Sequence, residues 1–69
     1  MDHLVEVKRR LWKEIANIEG VQGIGIGELD NGESCIFIYL LNGADSTKVP
    51  SEFEDVPVKI EWTEGFVAL

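Results

Sequence analysis

The sequence is poor in the residue types on which most enzymes and metal sites depend. Among 69 residues it has one cysteine, Cys35, and one histidine, His3. A single cysteine excludes an intrachain disulfide and the paired-cysteine metal motifs. A cysteine–histidine nucleophilic pair would have to bring residue 3 onto residue 35, and nothing in the pattern indicates this. We expect Cys35 to be a half-buried strand residue and His3 to lie in a frayed terminus.

Long apolar runs and positive charges are also scarce. No stretch approaches the roughly 20 apolar residues that a membrane-spanning helix needs. Charges flank the apolar residues of MDHLVEVKRR on both sides, unlike a secretory signal. We therefore expect a cytoplasmic protein. Six lysines and arginines against 13 acids give a formal net charge of −7, which disfavours nucleic acid and anionic membranes as partners.

The acidity belongs to the second part of the chain. Residues 1–20 balance four acids with Lys8, Arg9, Arg10 and Lys13, whereas residues 21–69 set nine acids against Lys48 and Lys59. The excess either keeps the protein soluble or marks an acidic inhibitor, a nucleic-acid mimic that occupies a basic protein. The basic patch before residue 20 is a solvated helix face, a weak nucleic-acid signal, or a docking site for acids of a neighbouring subunit.

The spacing of apolar residues predicts a helix over residues 3–18. Leu4, Val7, Leu11, Ile15 and Ile18 recur every three to four residues and form one stripe, which Val5 and Trp12 widen. Asp2 is the expected N-cap, and Asn17 with Gly20 marks the end.

The segment VQGIGIGELDNGES, residues 21–34, is predicted to be a strand that leads into a hairpin. Asn31-Gly32 is the strongest short signal for a two-residue turn. With these two as the loop, Ile26 faces Phe37 and Ile24 faces Tyr39, while each strand glycine faces an aliphatic residue. A phosphate-binding loop is disfavoured, because the glycines follow a helix and precede a turn, the reverse of the dinucleotide pattern.

This register makes the second hairpin face apolar as well. Ile24, Ile26, Phe37 and Tyr39 would share it, and one short helix cannot cover both faces of a sheet. Either the connection over residues 42–55 folds over this face or another chain does. These four residues are our candidate contact residues, since exposed apolar patches mark interfaces and aromatic residues are favoured anchors there.

The remaining chain reads as a loop followed by strands. Residues 42–55 form the loop, with Phe53 as an anchor into the core. Residues 56–62, VPVKIEW, alternate as a half-buried strand with Val56, Val58, Ile60 and Trp62 on one face. Pro57 places the start of that strand at a sheet edge, and FVAL, residues 66–69, can return as a closing strand.

The sequence offers no catalytic or metal-binding constellation. The acids at 45, 52, 54 and 55 lack the spacing of a calcium loop. The serines have no partner base, and Glu28 and Glu33 flank an exposed turn, which does not suit them to general acid catalysis. We expect no enzyme activity and no cofactor.

The order of motifs resembles a small uncharacterised bacterial α/β module. IEGVQGIGIGE, CIFIYL and KVPSEFEDVPVKIEWTEGFVAL are similar to its helix, its Val-x-Gly-Val-Gly-Ile-Gly strand, its proline loop, its Gly-Val-Pro-Val strand and its closing Gly-x-x-Ala-Leu. The matching positions are Val21, Gly23, Gly25, Gly27, Pro50, Val56, Pro57, Val58, Gly65, Ala68 and Leu69. Asp55 departs from the pattern, which more often has glycine there. The module also occurs ahead of trypsin-like peptidase domains, but this chain lacks a Gly-Asp-Ser-Gly peptidase signature.

Together these features predict a single α+β domain over residues 1–69, with an N-terminal helix packed on a small, mainly antiparallel sheet of three to four strands. The expected core comprises Leu11, Ile15, Ile18, Ile36, Ile38, Val58 and Ile60. The expected function is that of a non-catalytic protein-interaction module that self-associates as a homodimer. The alternatives are the acidic inhibitor and a binder that adds a ligand strand to the glycine-rich edge.

Overall fold

One helix packs on one face of a four-stranded mixed sheet in the computed structural model, which describes residues 3–64. The elements are helix α1 (His3–Ile15), strands β1 (Val21–Glu28), β2 (Ser34–Leu41), β3 (Glu52–Phe53) and β4 (Val56–Thr63), and a 3₁₀ turn over Ser46–Lys48. The strand order is β1-β2-β4-β3, with β2 parallel to β4 and the other two pairings antiparallel. The predicted fold is confirmed. The predicted N-cap Asp2 and closing strand 66–69 lie outside the described residues.

Helix α1 ends at Ile15, three residues earlier than predicted. The chain tightens there, because the amide of Ile18 donates to the carbonyl of Ile15 at 2.9 Å, a bond across three residues instead of four. Gly20 then turns the chain at φ +95, and a side chain there would meet Ala44. The chain therefore enters β1 directly after Gly20, and the helix does not continue to residue 18.

The hydrophobic core lies between α1 and one face of the sheet. Its helix members are Val7, Leu11 and Ile15, all essentially inaccessible to solvent. Its strand members are Ile36, Ile38 and Leu40 of β2 with Val56 and Val58 of β4. Every residue of the predicted core is in or against this cluster, with Ile18 and Ile60 partly buried at its border. The 3.6- and 2-residue periods of the sequence therefore identify the core correctly.

The hairpin between β1 and β2 has a three-residue loop, so the predicted two-residue loop is wrong. The amide of Leu29 donates to the carbonyl of Glu33, and the amide of Gly32 donates back to the carbonyl of Leu29. Gly32 is the only loop residue with positive φ, and the Asn31 side chain accepts from the Glu33 amide. This is a turn closed by a glycine bulge. It shifts the pairing by one residue, to Ile26 opposite Ile36 and Gly25 opposite Phe37.

A two-residue turn in which both residues have positive φ, the kind predicted at Asn31-Gly32, is found between β3 and β4. Glu54 and Asp55 adopt φ of 50° and 67° between the paired residues Phe53 and Val56. Such a turn matches the twist of the strands that it joins. Asp55, which departs from the glycine of the resembling module, is thus held in a conformation that glycine adopts at less cost.

The connection from β2 to β4 crosses on the helix side of the sheet. Parallel neighbours require a crossover, and residues 42–55 supply it. Within this segment Val49 is buried in the core cluster, and Ala44 and Phe53 pack against that cluster. Phe53 is therefore the anchor that the sequence predicts. Because the segment is committed to the helix side, it does not cover the second face of the sheet.

Candidate interaction surfaces

The four predicted contact residues lie on two different faces of the sheet. Ile24 pairs with Ile38 and Ile26 with Ile36, so both isoleucines point to the helix side. Phe37 and Tyr39 alternate with these core residues and point to the opposite side. The prediction that the four share one face is wrong, because a one-residue change of register moves all the side chains of a strand to the other face.

The second face of the sheet carries an aromatic platform. The rings of Phe37 and Tyr39 lie over the backbone of Gly27 and Gly25 respectively, where those residues have no side chain. Gly25 and Gly27 therefore leave room for aromatic rings, and the glycine-rich segment is a strand, as predicted, and not a phosphate-binding loop. The two rings are only partly buried.

One positive and one negative side chain border the two rings. Lys59 of β4 pairs with Phe37 and Glu61 pairs with Tyr39, and paired residues share a face. We call Phe37, Tyr39, Lys59 and Glu61 the aromatic face. Among residues 3–64, α1 and the crossover both pack on the other side. The described elements thus leave the aromatic face without a covering layer.

A second surface lies where α1 meets the outer edge of β1. A groove of about 340 Å³ is lined by Val5, Lys8, Arg9, Trp12 and Ile24, which we call the edge groove. Val5 and Trp12 of α1 are 39% and 37% exposed, and Ile26 of β1, two residues beyond Ile24, is 40% exposed. The sequence pattern places Val5 and Trp12 in the widened core stripe. Their position at its flank was the only signal that they could instead border a groove.

The single cysteine and the single histidine lie on opposite sides of the molecule. His3 is exposed on α1, on the helix side of the sheet, whereas Cys35 belongs to the opposite face, with Phe37. Cys35 is fully buried and not half-buried as predicted. Burial raises the pKa of the Cys35 thiol, which disfavours the reactive thiolate. The arrangement provides no nucleophile and base pair from these two residues.

A further cavity, of about 370 Å³, lies between the turn after α1 and the loop after β2. Its ionisable lining residues are Glu19, Asp45 and Lys48. The Asp45 carboxylate accepts from the Thr47 amide at 2.9 Å and from its hydroxyl at 2.6 Å, and these bonds lower the pKa of Asp45. The carboxylate is thus an N-cap of the 3₁₀ turn, and a lowered pKa does not suit it to act as a base near neutrality.

The turn between β1 and β2 and the turn between β3 and β4, which we call the two acidic turns, lie at the same end of the sheet. Strands β2 and β4 are parallel, so the turns that precede them meet at one end. That end carries Glu28, Asp30, Glu33, Glu52, Glu54 and Asp55. Helix α1 supplies one counter-charge, since the Arg10 guanidinium donates to both carboxylate oxygens of Glu54 at 2.7 and 2.6 Å. The paired bonds from Arg10 hold the pKa of Glu54 below its ordinary value.

Residues 3–64 contain neither a metal-binding cluster nor a membrane-spanning helix. No group of three or more histidine, cysteine, aspartate or glutamate side chains in that range is arranged to hold a metal ion. None of the helices formed by these residues has the length and apolar character needed to cross a membrane. No family model, curated protein or solved structure matches the chain, so the resemblance to the bacterial α/β module stays a prediction.

Proposed function

We propose that the protein is a non-catalytic interaction module that self-associates through its aromatic face. The observation that supports this is the position of Phe37 and Tyr39, partly exposed on the face that neither α1 nor the crossover covers. Burying such rings stabilises an association in proportion to the apolar area removed from water. Sheet faces pack against each other about 10 Å apart, and side chains of this size fill that gap.

The charges on the aromatic face suit a second copy of the same chain. A twofold interface pairs residue i with residue j and residue j with residue i. Lys59 and Glu61 are neighbours on one strand and of opposite sign, so each copy offers the charge that the other needs. Although the whole chain carries a net charge of −7, these two charges cancel locally. Two aromatic faces therefore meet without local repulsion.

Isotope-filtered NMR on a mixture of labelled and unlabelled chains tests this contact directly. We expect cross-peaks between the ring protons of Phe37 and Tyr39 in one copy and the side chains of Lys59 and Glu61 in the other. Cross-peaks that instead join residues of the edge groove would contradict the proposal. So would a sample that is monomeric at the millimolar concentration of the experiment.

A second candidate function is that of an acidic inhibitor that occupies a basic protein. The observation that favours it is the meeting of the two acidic turns at one end of the sheet. Association of this kind weakens steeply as salt is added. Neutralising Asp30 and Glu33 together should then weaken binding to a basic protein column. The aromatic-face substitution Phe37→Asp should leave that binding unchanged, which separates the two functions.

A further inference from the structure

The edge groove supports an inference that goes beyond self-association and does not depend on it. We propose that β1 accepts an extended segment of an acidic partner protein as an additional strand. The apolar side chains of that segment lie in the edge groove, and its carboxylates lie beside Lys8 and Arg9. The proposal joins three observations: an open strand edge, an apolar groove next to it, and basic side chains at the rim of the groove.

The outer edge of β1 is available for backbone pairing. The strand order places β1 at one end of the sheet, and no strand formed by residues 3–64 lies beyond it. Leu29 bonds across to Glu33 through its amide, and bonded residues alternate along an antiparallel strand. Gly25 and Gly27 therefore direct their amides to β2, whereas Ile24 and Ile26 direct theirs outward.

This edge lacks the features that usually block strand addition. Natural edge strands carry lysine, proline, inward-pointing charges or a bulge in their middle. Residues 23–27 read Gly-Ile-Gly-Ile-Gly, and the irregularity in the pairing lies before them, between Val21 and Gly23. A segment of five residues thus presents its outward amides without a charge or a proline.

The side chains beside this edge fit a strand with apolar residues at alternate positions. Alternate side chains of an added strand point to the helix side, where they meet Ile24, Ile26 and the groove walls Val5 and Trp12. These walls are more than a third exposed in the single chain. Covering them removes apolar surface from water, which adds to the backbone hydrogen bonds of strand addition.

The charges at the rim favour an acidic segment over a second copy of this chain. Lys8 has no ion pair among residues 3–64, and Arg9 reaches Glu6 only at 3.7 Å with its side chain 63% exposed. Pairing β1 with β1 of a second copy would place two α1 helices side by side on one face of the joined sheet. Their basic residues would then repel each other, whereas an acidic segment neutralises them.

Selection from a library of random displayed peptides, with the full chain as bait, tests the proposal. We expect enriched peptides with apolar residues at alternate positions and at least one aspartate or glutamate. On adding such a peptide, the amide signals of Ile24 and Ile26 should shift and their hydrogen exchange should slow. Lys8→Glu should weaken binding at least about tenfold, whereas Lys13→Glu, at a helix residue that does not line the groove, should change it far less.

One pair of variants separates strand addition from simple occupation of the groove. Ile26→Pro removes an outward amide without removing a bond to β2, and Ile26→Ala shortens the same side chain but keeps the amide. Peptide binding should be lost in the first variant and retained in the second, with both folded by their NMR spectra. Equal binding by the two variants, or the absence of any enriched acidic peptide, overturns the proposal. If, without peptide, hydrogen exchange of the Ile24 and Ile26 amides slows as the protein concentration rises, β1 pairs with a second copy of the chain. That result also overturns the proposal.

Discussion

The ring of Phe37 occupies the space that a side chain on Gly27 would fill. The two residues lie on adjacent strands, with Phe37 two positions beyond Cys35, the direct partner of Gly27, and the ring leans across the sheet over the glycine backbone. A second glycine, Gly25, has the ring of Tyr39 at ordinary contact distance, 3.7 Å from the position of an added Cβ. The glycines of β1 thus have unequal roles in supporting the aromatic face.

This difference predicts opposite effects for two alanine substitutions in the same strand. Gly27→Ala displaces the Phe37 ring and should lower the free energy of unfolding by about 1–3 kcal/mol, as overpacking does. Gly25→Ala meets no close atom and should raise it by about 0.4–1 kcal/mol by restricting the unfolded chain. Urea unfolding of both variants measures the difference. Equal effects would show that the ring does not depend on Gly27.

Sequence predictions are correct where the spacing of residues along the chain decides the structure, and wrong where contacts formed only in the folded chain decide it. The core follows from apolar spacing alone, which is why Leu11, Ile15, Ile36 and Ile38 are identified correctly. The hairpin register depends on whether Asn31-Gly32 forms a two- or three-residue loop. That choice is made by the bonds between Leu29 and Glu33, which propensity does not reveal.

The candidate surfaces show the same limit. The sequence correctly predicts that Phe37 and Tyr39 are an apolar pair outside the helix-facing core. Ile24 and Ile26 were placed with them only because the register was displaced by one residue. Trp12 was assigned to the core stripe, since a residue at the flank of a stripe can pack inward or border a groove. Only the position of α1 over the edge of β1 decides between these alternatives.

The turn between β3 and β4 predicts a stabilising substitution. Asp55 has φ 67, a conformation that costs a residue with a Cβ more than it costs glycine. Asp55→Gly should therefore raise the free energy of unfolding by about 0.5–1 kcal/mol. Asp30→Gly, in a turn position without positive φ, is the control and should lower it. A loss of stability in Asp55→Gly would mean that the turn relies on the aspartate side chain.

The ion pair between Arg10 and Glu54 predicts part of the acid sensitivity of the fold. Its two hydrogen bonds lower the pKa of Glu54 in the folded state, compared with about 4.3 for an unfolded glutamate. The pair therefore stabilises the fold fully above the unfolded pKa, and this contribution is lost as the pH falls through the lower, folded pKa. Asp45, whose pKa is lowered by Thr47, adds a contribution of the same sign.

Urea midpoints between pH 7 and pH 3 measure this contribution. Glu54→Gln should lower the midpoint at pH 7 and flatten the decline toward pH 3. Glu52→Gln removes one nearby charge that has no ion pair among residues 3–64, and it controls for net charge. Parallel pH profiles for the wild type and Glu54→Gln would contradict the assignment of this carboxylate as a stabilising partner of Arg10.

The two charges on the aromatic face predict a rescue experiment. In a twofold interface Lys59→Glu sets like charges against each other twice, and so does Glu61→Lys. Each single variant should raise the dissociation constant about tenfold. The double variant Lys59→Glu/Glu61→Lys restores opposite charges and should recover most of the loss. A double variant as weak as the two singles combined would show that these residues do not meet across the interface.

The solution mass by light scattering behind a sizing column, over a range of concentration and salt, is the measurement that tests self-association most directly. The wild type should be a dimer that persists at high salt, because apolar burial and not charge stabilises it. Phe37→Asp should give a monomer, whereas Trp62→Asp, at a 50% exposed residue on the other face, should remain a dimer. A wild-type mass of one chain at every concentration would contradict self-association through the aromatic face.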